Sequence, residues 1–179
     1  VGAASQRTEK SAAAGAGNST TEVSMQIAIL GAGNMARGLA ALLDEAGYEI
    51  VLGARDQDKA KAAASAIGAK VKTNSIAGAA SSADVVILAV PYGAAAETIQ
   101  AAGDLTGKIL IDISNPLTPD FMGLTVGHTT SAAEEIQRLA PNAKVVKAFN
   151  TLFARVLDNG GKIGGNPATV FLAGDDQEA

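Results

Sequence analysis

Cysteine and tryptophan are absent from the 179-residue chain, which has one histidine and, as its only aromatics, four phenylalanines and two tyrosines. Without cysteine there is no disulfide scaffold, Cys-ligated zinc site, iron–sulfur cluster or thiol nucleophile. So few aromatics leave no platform for stacking nucleic-acid bases. A single histidine argues against a His-rich metal site, and no metal site is expected. Long apolar runs are missing too. The longest stretch free of charge, Val23 to Ala36, has 14 residues including two glycines, whereas a membrane-spanning helix needs about 20 apolar ones. A soluble protein with no membrane partner is therefore expected. Basic residues are outnumbered, 14 against 18 acidic, for a net charge of −4. They are also scattered, so a nucleic-acid partner is not expected. The lack of cysteine suits a reducing compartment, and a cytoplasmic location is the expectation.

Alanine is abundant: 38 residues, so much of the 47% hydrophobic content consists of small side chains and suits one domain of ordinary size. Residues 1–24 are small and polar, without bulky apolar periodicity, and read as a flexible leader or tag. Residues 25–179 read as a single domain.

From Met25 the pattern changes. Met25 to Leu30 is an apolar run, followed by a glycine turn and then by Asn34 to Ala46 with Met35, Leu39, Leu42 and Leu43 at helical spacing. Further strands are expected at Glu49–Leu52, Lys70–Lys72, Val85–Val90, Ile109–Ile113, Lys144–Lys147 and Thr169–Ala173. Helices are expected at Asp58–Ile67, Ser75–Ala83, Tyr92–Ala102 and Ser131–Leu139, the last opened by a Ser131/Glu134 capping box. The continuous β-branched run Val85 to Val90 has the look of a strand covered on both faces. Strands alternating with helix-length connections give an α/β fold of three layers around a doubly wound, mostly parallel sheet; with the glycine turn Gly31-Ala32-Gly33 after its first strand, this becomes a Rossmann-type NAD(P)-binding architecture.

Gly31-Ala32-Gly33-Asn34-Met35-Ala36 follows the first strand and opens the first helix, the context that gives G-x-G-x-x-G/A its meaning. Gly31 permits the tight turn, Gly33 lets backbone N–H groups approach a pyrophosphate, and Ala36 lets helix and strand pack closely. Gly15-Ala16-Gly17-Asn18 spells the same four residues without a preceding strand, and carries no such reading. An NAD-preferring site would place an acidic residue at the end of the second strand. Here that strand ends Gly53-Ala54-Arg55, with Lys59 one turn into the next helix. Small Gly53 and Ala54 leave room, and the Arg55 fork suits a 2′-phosphate, so NADP(H) is favoured. The competing reading pairs Arg55 with Asp56 or Asp58 in solvent.

Seven segments in order, ILGAGNMA, LGARD, LAVPY, DISNPL, TSAAEEI, VVKAFNT and VFLAGDD, resemble the deazaflavin (coenzyme F-420) dependent NADP oxidoreductase family. Its relatives include the oxidoreductase domains of eukaryotic metalloreductases. The resemblance implies that Ala32 to Met35 wrap the pyrophosphate, and that Ala54, Arg55 and Lys59 hold the 2′-phosphate. It also implies that Ala89, Val90, Pro91, Asn115 and Ala148 line the nicotinamide half. Hydride would pass between NADPH and a small-molecule acceptor, coenzyme F-420 or a flavin, with a homodimer as the assembly. Family members continue past the segment matching AGDD, so the resemblance also implies that their C-terminal segment is lacking here. The alternative is an NADP(H)-binding module without turnover, such as a sensor or a fragment needing a partner.

Hydride transfer between stacked rings needs orientation and exclusion of water more than side-chain acid–base work, and no catalytic side chain is assigned. Substrate candidates at the expected sheet edge are Tyr92, Pro116, His128, Ser131, Asn150 and Thr151. Each has a plainer reading: helix packing for Tyr92, a turn for Pro116, Asn150 and Thr151, a solvated loop for His128 and a helix cap for Ser131. Asp175, Asp176 and Glu178 read as a solvated acidic chain end.

Overall fold

The computed structural model describes residues 25–179, so the expected leader at 1–24 lies outside the described residues. The chain runs β1 (Gln26–Leu30), α1 (Asn34–Glu45), β2 (Glu49–Gly53), α2 (Gln57–Ile67), β3 (Lys72–Asn74), α3 (Ile76–Ser82) and β4 (Val85–Leu88). It continues with α4 (Ala95–Ala102), β5 (Ile109–Asp112), α5 (Ala132–Leu139), β6 (Lys144–Lys147) and α6 (Ala154–Asp158). Three two-residue strands follow, β7 (Lys162–Ile163), β8 (Asn166–Pro167) and β9 (Ala173–Gly174).

The main sheet has the order β3-β2-β1-β4-β5-β6-β9. Its first six strands pair in parallel, and β9 closes one edge antiparallel to β6. Apolar strands buried on both faces require helices on both sides, and two separate cores result. One packs α3, α4 and α5 against Ala28, Leu30, Val86, Leu88 and Leu110. The other packs α1, α2 and α6 against Ile27, Ile29, Leu52, Val85 and Ile87. The three layers and the doubly wound sheet are those expected. Leu30, Leu52 and Leu88 are fully buried; cutting such a side chain to alanine costs about 2–5 kcal/mol.

Several boundaries move. The third strand is Lys72–Asn74 rather than Lys70–Lys72, since three polar edge residues carry no periodicity to place them. The expected helix at Tyr92–Ala102 begins as a tight 3₁₀ turn, Tyr92–Ala94, before α4. The last strand shrinks to Ala173–Gly174. The acidic chain end is exposed, as expected, and Lys144 pairs there with Asp176 at 3.2 Å and Glu178 at 3.8 Å. Among the described residues no helix is long and apolar enough to cross a membrane.

Three helices carry side-chain caps. Asp56 accepts the Lys59 N–H at 3.0 Å for α2, Ser75 accepts the Gly78 N–H at 3.0 Å for α3, and Ser131 with Glu134 forms the expected capping box on α5. The N-terminus of α1 has none.

Candidate functional site

Strand order reverses between β1 and β4, so the connections leaving their carboxyl ends go opposite ways and open a crevice. Gly31 and Ala89 face each other there. Gly31 has φ +131°, and a Cβ on it would lie 2.3 Å from the Ala89 carbonyl oxygen; its N–H donates to the Gly53 carbonyl at 2.8 Å. Gly31 is thus glycine for the fold's own sake. Gly33 is not: its φ of −79° suits any residue, and a Cβ there would meet nothing within 4 Å. The protein itself gives no steric reason for glycine at this helix end, where the α1 dipole and its uncapped N–H groups favour an anion.

A cleft of about 480 Å³ lies against this turn, lined by Gly31, Ala32, Gly33, Ala54, Arg55, Lys59, Ala89, Val90 and Pro91. Nine expected cofactor residues from four segments therefore share one surface. Gly53, whose small size the sequence already suggests leaves room there, lies in the same lining, and Asp56, Ile76, Ala94 and Thr98, which the sequence does not point to, complete it. Arg55 pairs with neither aspartate considered beforehand. Its Nη1 lies 3.0 Å from both carboxylate oxygens of Glu97 in the first turn of α4, while Lys59 pairs with Asp56 at 3.6 Å. The Lys59 backbone N–H and then its ammonium hold the Asp56 carboxyl below its usual range.

A second cavity, about 770 Å³, takes in Asn115, Pro116, Ser131 and Asn150 together with Leu124, Val126, Arg138 and Lys147. Asn115 Nδ2 donates to the Asn150 carbonyl at 2.9 Å, and Asn150 Nδ2 donates to Asn115 Oδ1 at 3.4 Å. This exchange ties the loops leaving β5 and β6. Beneath it Lys147 Nζ donates to Asp112 Oδ2 at 2.7 Å and to the Ser114 carbonyl, while the Ser114 N–H donates to Asp112 Oδ1 at 2.8 Å. Asp112 is fully buried. Sequence reading missed this pair, although each residue is the charge on which its strand ends. The register places the two side by side.

The remaining candidates line neither cavity. Asn34 is exposed and accepts from Arg37, Met35 packs on the core, and Ala36 and Ala148 are fully buried. His128, at φ +64°, sits in an exposed turn, and Thr151 is exposed. Tyr92 lies in a groove beside α5, where its hydroxyl donates to Glu135 Oε2 at 2.7 Å. Burial, and then that carboxylate, push the phenol up to about 12. A folded-state value raised above the usual one near 10 favours the native state below pH 10, and that contribution is lost between about pH 10 and 12. Tyr92→Phe is therefore expected to be less stable than wild type at neutral pH, with the gap narrowing over that interval in denaturant titrations. A constant gap would remove the ionisation argument.

Residues 26–116 match the family model described as NADP oxidoreductase coenzyme F420-dependent. This chain belongs to that family. The F420-dependent NADP reductase of Methanothermobacter marburgensis is 36% identical over 148 residues, covering 74% of this chain and 66% of the reductase. The rat (Rattus norvegicus) metalloreductase STEAP3 is 34% identical over 154 residues, 86% of this chain but 30% of its own length. The solved structure of a hypothetical protein from Sinorhizobium meliloti superposes with a TM-score of 0.78 at 35% identity, covering 86% of this chain and 75% of that one. Reductive aminase from Aspergillus terreus, TM-score 0.57 at 19% identity over 74% of this chain and 44% of its own, shares the fold. The chain spans less than two thirds of the metalloreductase and about two thirds of the reductase.

The residues present in this F420-dependent NADP oxidoreductase family member fit a phosphorylated dinucleotide. Gly33 leaves open the space that a side chain would fill beside the α1 N-terminus. Arg55 and Lys59 bring two cations to the far end of the same cleft, and Ala54 intrudes with no side chain beyond Cβ.

Proposed function

We propose that the protein is an NADP(H)-dependent oxidoreductase that passes hydride between NADPH and a deazaflavin or flavin acceptor. The observation that carries the reading is Gly33. It is a glycine with ordinary dihedrals and open space where a Cβ would lie, at an uncapped helix end in a cleft that also holds Arg55 and Lys59. Backbone N–H groups at Ala32 to Met35 would bind the pyrophosphate, and the Arg55 fork with the Lys59 ammonium would take the 2′-phosphate. When bound, the nicotinamide supplies or accepts the hydride. Ala89, Val90 and Pro91 would wall its ring, and Asn115 with Asn150 would define the edge shared with the acceptor cavity. Those side chains orient and exclude water, and no acid–base group is required of them. The same reading has the protein act as a homodimer in the cytoplasm; exposed Phe153, Phe171 and Leu172 offer apolar surface for a second copy.

Arg55→Ala is the test. A guanidinium–phosphate contact removed from a partly solvated site weakens binding about ten- to a hundredfold. Calorimetric titration should find that loss for NADPH, with NADH affinity within about threefold of wild type. Equal losses for both dinucleotides would remove Arg55 from the 2′-phosphate site.

A further inference from the structure

Arg55 follows β2 and lines the cleft, and Glu97 lies 42 residues further on, in the first turn of α4. Their ion pair joins the two segments. Both carboxylate oxygens are 3.0 Å from one guanidinium nitrogen, so Glu97 occupies the place at Arg55 that a phosphate would take. The pair contributes little to stability, because the side chains are 69% and 64% exposed and such pairs sit near the weak end of the scale. Lys59 is held differently. Its partner Asp56 also caps α2 through the Lys59 N–H, so that carboxylate is anchored. Glu97 makes no side-chain hydrogen bond except to Arg55 among the described residues. Ala94, at the end of the 3₁₀ turn before α4, and Thr98, next to Glu97 in α4, line the cleft.

We propose that Glu97 tunes cofactor choice by acting as an internal competitor for the 2′-phosphate at Arg55. The proposal rests on the NADP(H) reading of the cleft. An NADP(H) molecule must displace the carboxylate from Arg55 and then lie beside its negative charge, whereas NAD(H), with a ribose hydroxyl, need do neither. Glu97 therefore narrows the preference for the phosphorylated cofactor and makes its release easier, and it pairs with Arg55 when the cleft holds no phosphate. Asp56 sets the background: it remains charged near the same site whatever happens at position 97.

The experiment is calorimetric titration of wild type and Glu97→Gln with NADPH and with NADH, at one ionic strength. Glutamine keeps the size and helix context and removes the charge, and an exposed site leaves the thermal midpoint unchanged. NADPH is expected to bind Glu97→Gln about three- to tenfold more tightly than wild type, the scale of one exposed ion pair plus one like-charge contact. NADH should stay within about twofold. Raising ionic strength should shrink the difference between the two proteins for NADPH. NADPH affinity that is unchanged or weaker in Glu97→Gln overturns the proposal, since Glu97 would then be neutral or would be holding Arg55 in place for the phosphate. A parallel gain for both dinucleotides overturns it as well. A wild type that selects NADPH beside an unresponsive variant overturns this proposal alone, while a wild type that binds neither dinucleotide overturns the reading of the cleft along with it.

Discussion

Replacing Lys147 by methionine is expected to destabilise the protein by about 3–5 kcal/mol, seen as a lower denaturant midpoint at unchanged slope. Asp112 is fully buried, and its Oδ2 takes the Lys147 ammonium at 2.7 Å. Methionine leaves that carboxyl group desolvated and without its cation, which costs far more than the intact pair contributes. The double variant Asp112→Asn with Lys147→Met should recover most of the loss, because the amide oxygen can still accept the Ser114 N–H, now bonded to Asp112 Oδ1 at 2.8 Å. A single variant within about 1 kcal/mol of wild type would mean that the pair is not the tie between the ends of β5 and β6. The consequence reaches the site, since Asn115 and Asn150 leave from those two strand ends.

Gly31 and Gly33 should separate stability from binding. Gly31→Ala puts a Cβ 2.3 Å from the Ala89 oxygen at φ +131°, a backbone clash in a region glycine alone tolerates. A loss of about 2–4 kcal/mol is expected from strain and overpacking together. Gly33→Ala meets no protein atom and should fold within about 1 kcal/mol of wild type, the scale of a helix N-cap change. Its effect falls on the ligand. NADPH and NADH should both weaken about tenfold or more, because the pyrophosphate they share needs the approach that the new methyl blocks. That pattern is distinct from Arg55→Ala, where only the phosphorylated cofactor suffers. Unchanged affinity in Gly33→Ala would place the pyrophosphate elsewhere.

Much of the fold was legible because the chain punctuates itself. Apolar runs such as Val85 to Leu88 and helices with spaced apolar residues such as Met35, Leu39 and Leu42 are local signals, and each landed in its expected element. The hairpin of β7 and β8 was missed although Gly164 and Gly165, at φ +58° and +85°, form the two-residue turn favoured between antiparallel strands. Its strands have two residues each, too few to show alternation. Helix α6 has five residues and no side-chain cap, and so escaped for the same reason.

The cleft was readable from two successive strand–helix units, since Gly31 and Gly33 lie between β1 and α1, Arg55 between β2 and α2, and Lys59 in the first turn of α2. What could not be read were partners chosen by the sheet. Glu97 meets Arg55 across 42 residues, and Asp112 meets Lys147 across 35. Only strand order and register bring either pair together. Tyr92 takes the plainer of its two readings: it neighbours Pro91 in sequence, but its hydroxyl bonds Glu135 on α5.

Titration of the wild-type chain with NADPH and NADH in parallel tests the central claim most directly. NADPH should bind at least tenfold more tightly than NADH, because Arg55 and Lys59 stand where an acidic residue would otherwise meet the ribose diol. Equal affinities, or no binding of either, would contradict the assignment of this cleft to NADP(H).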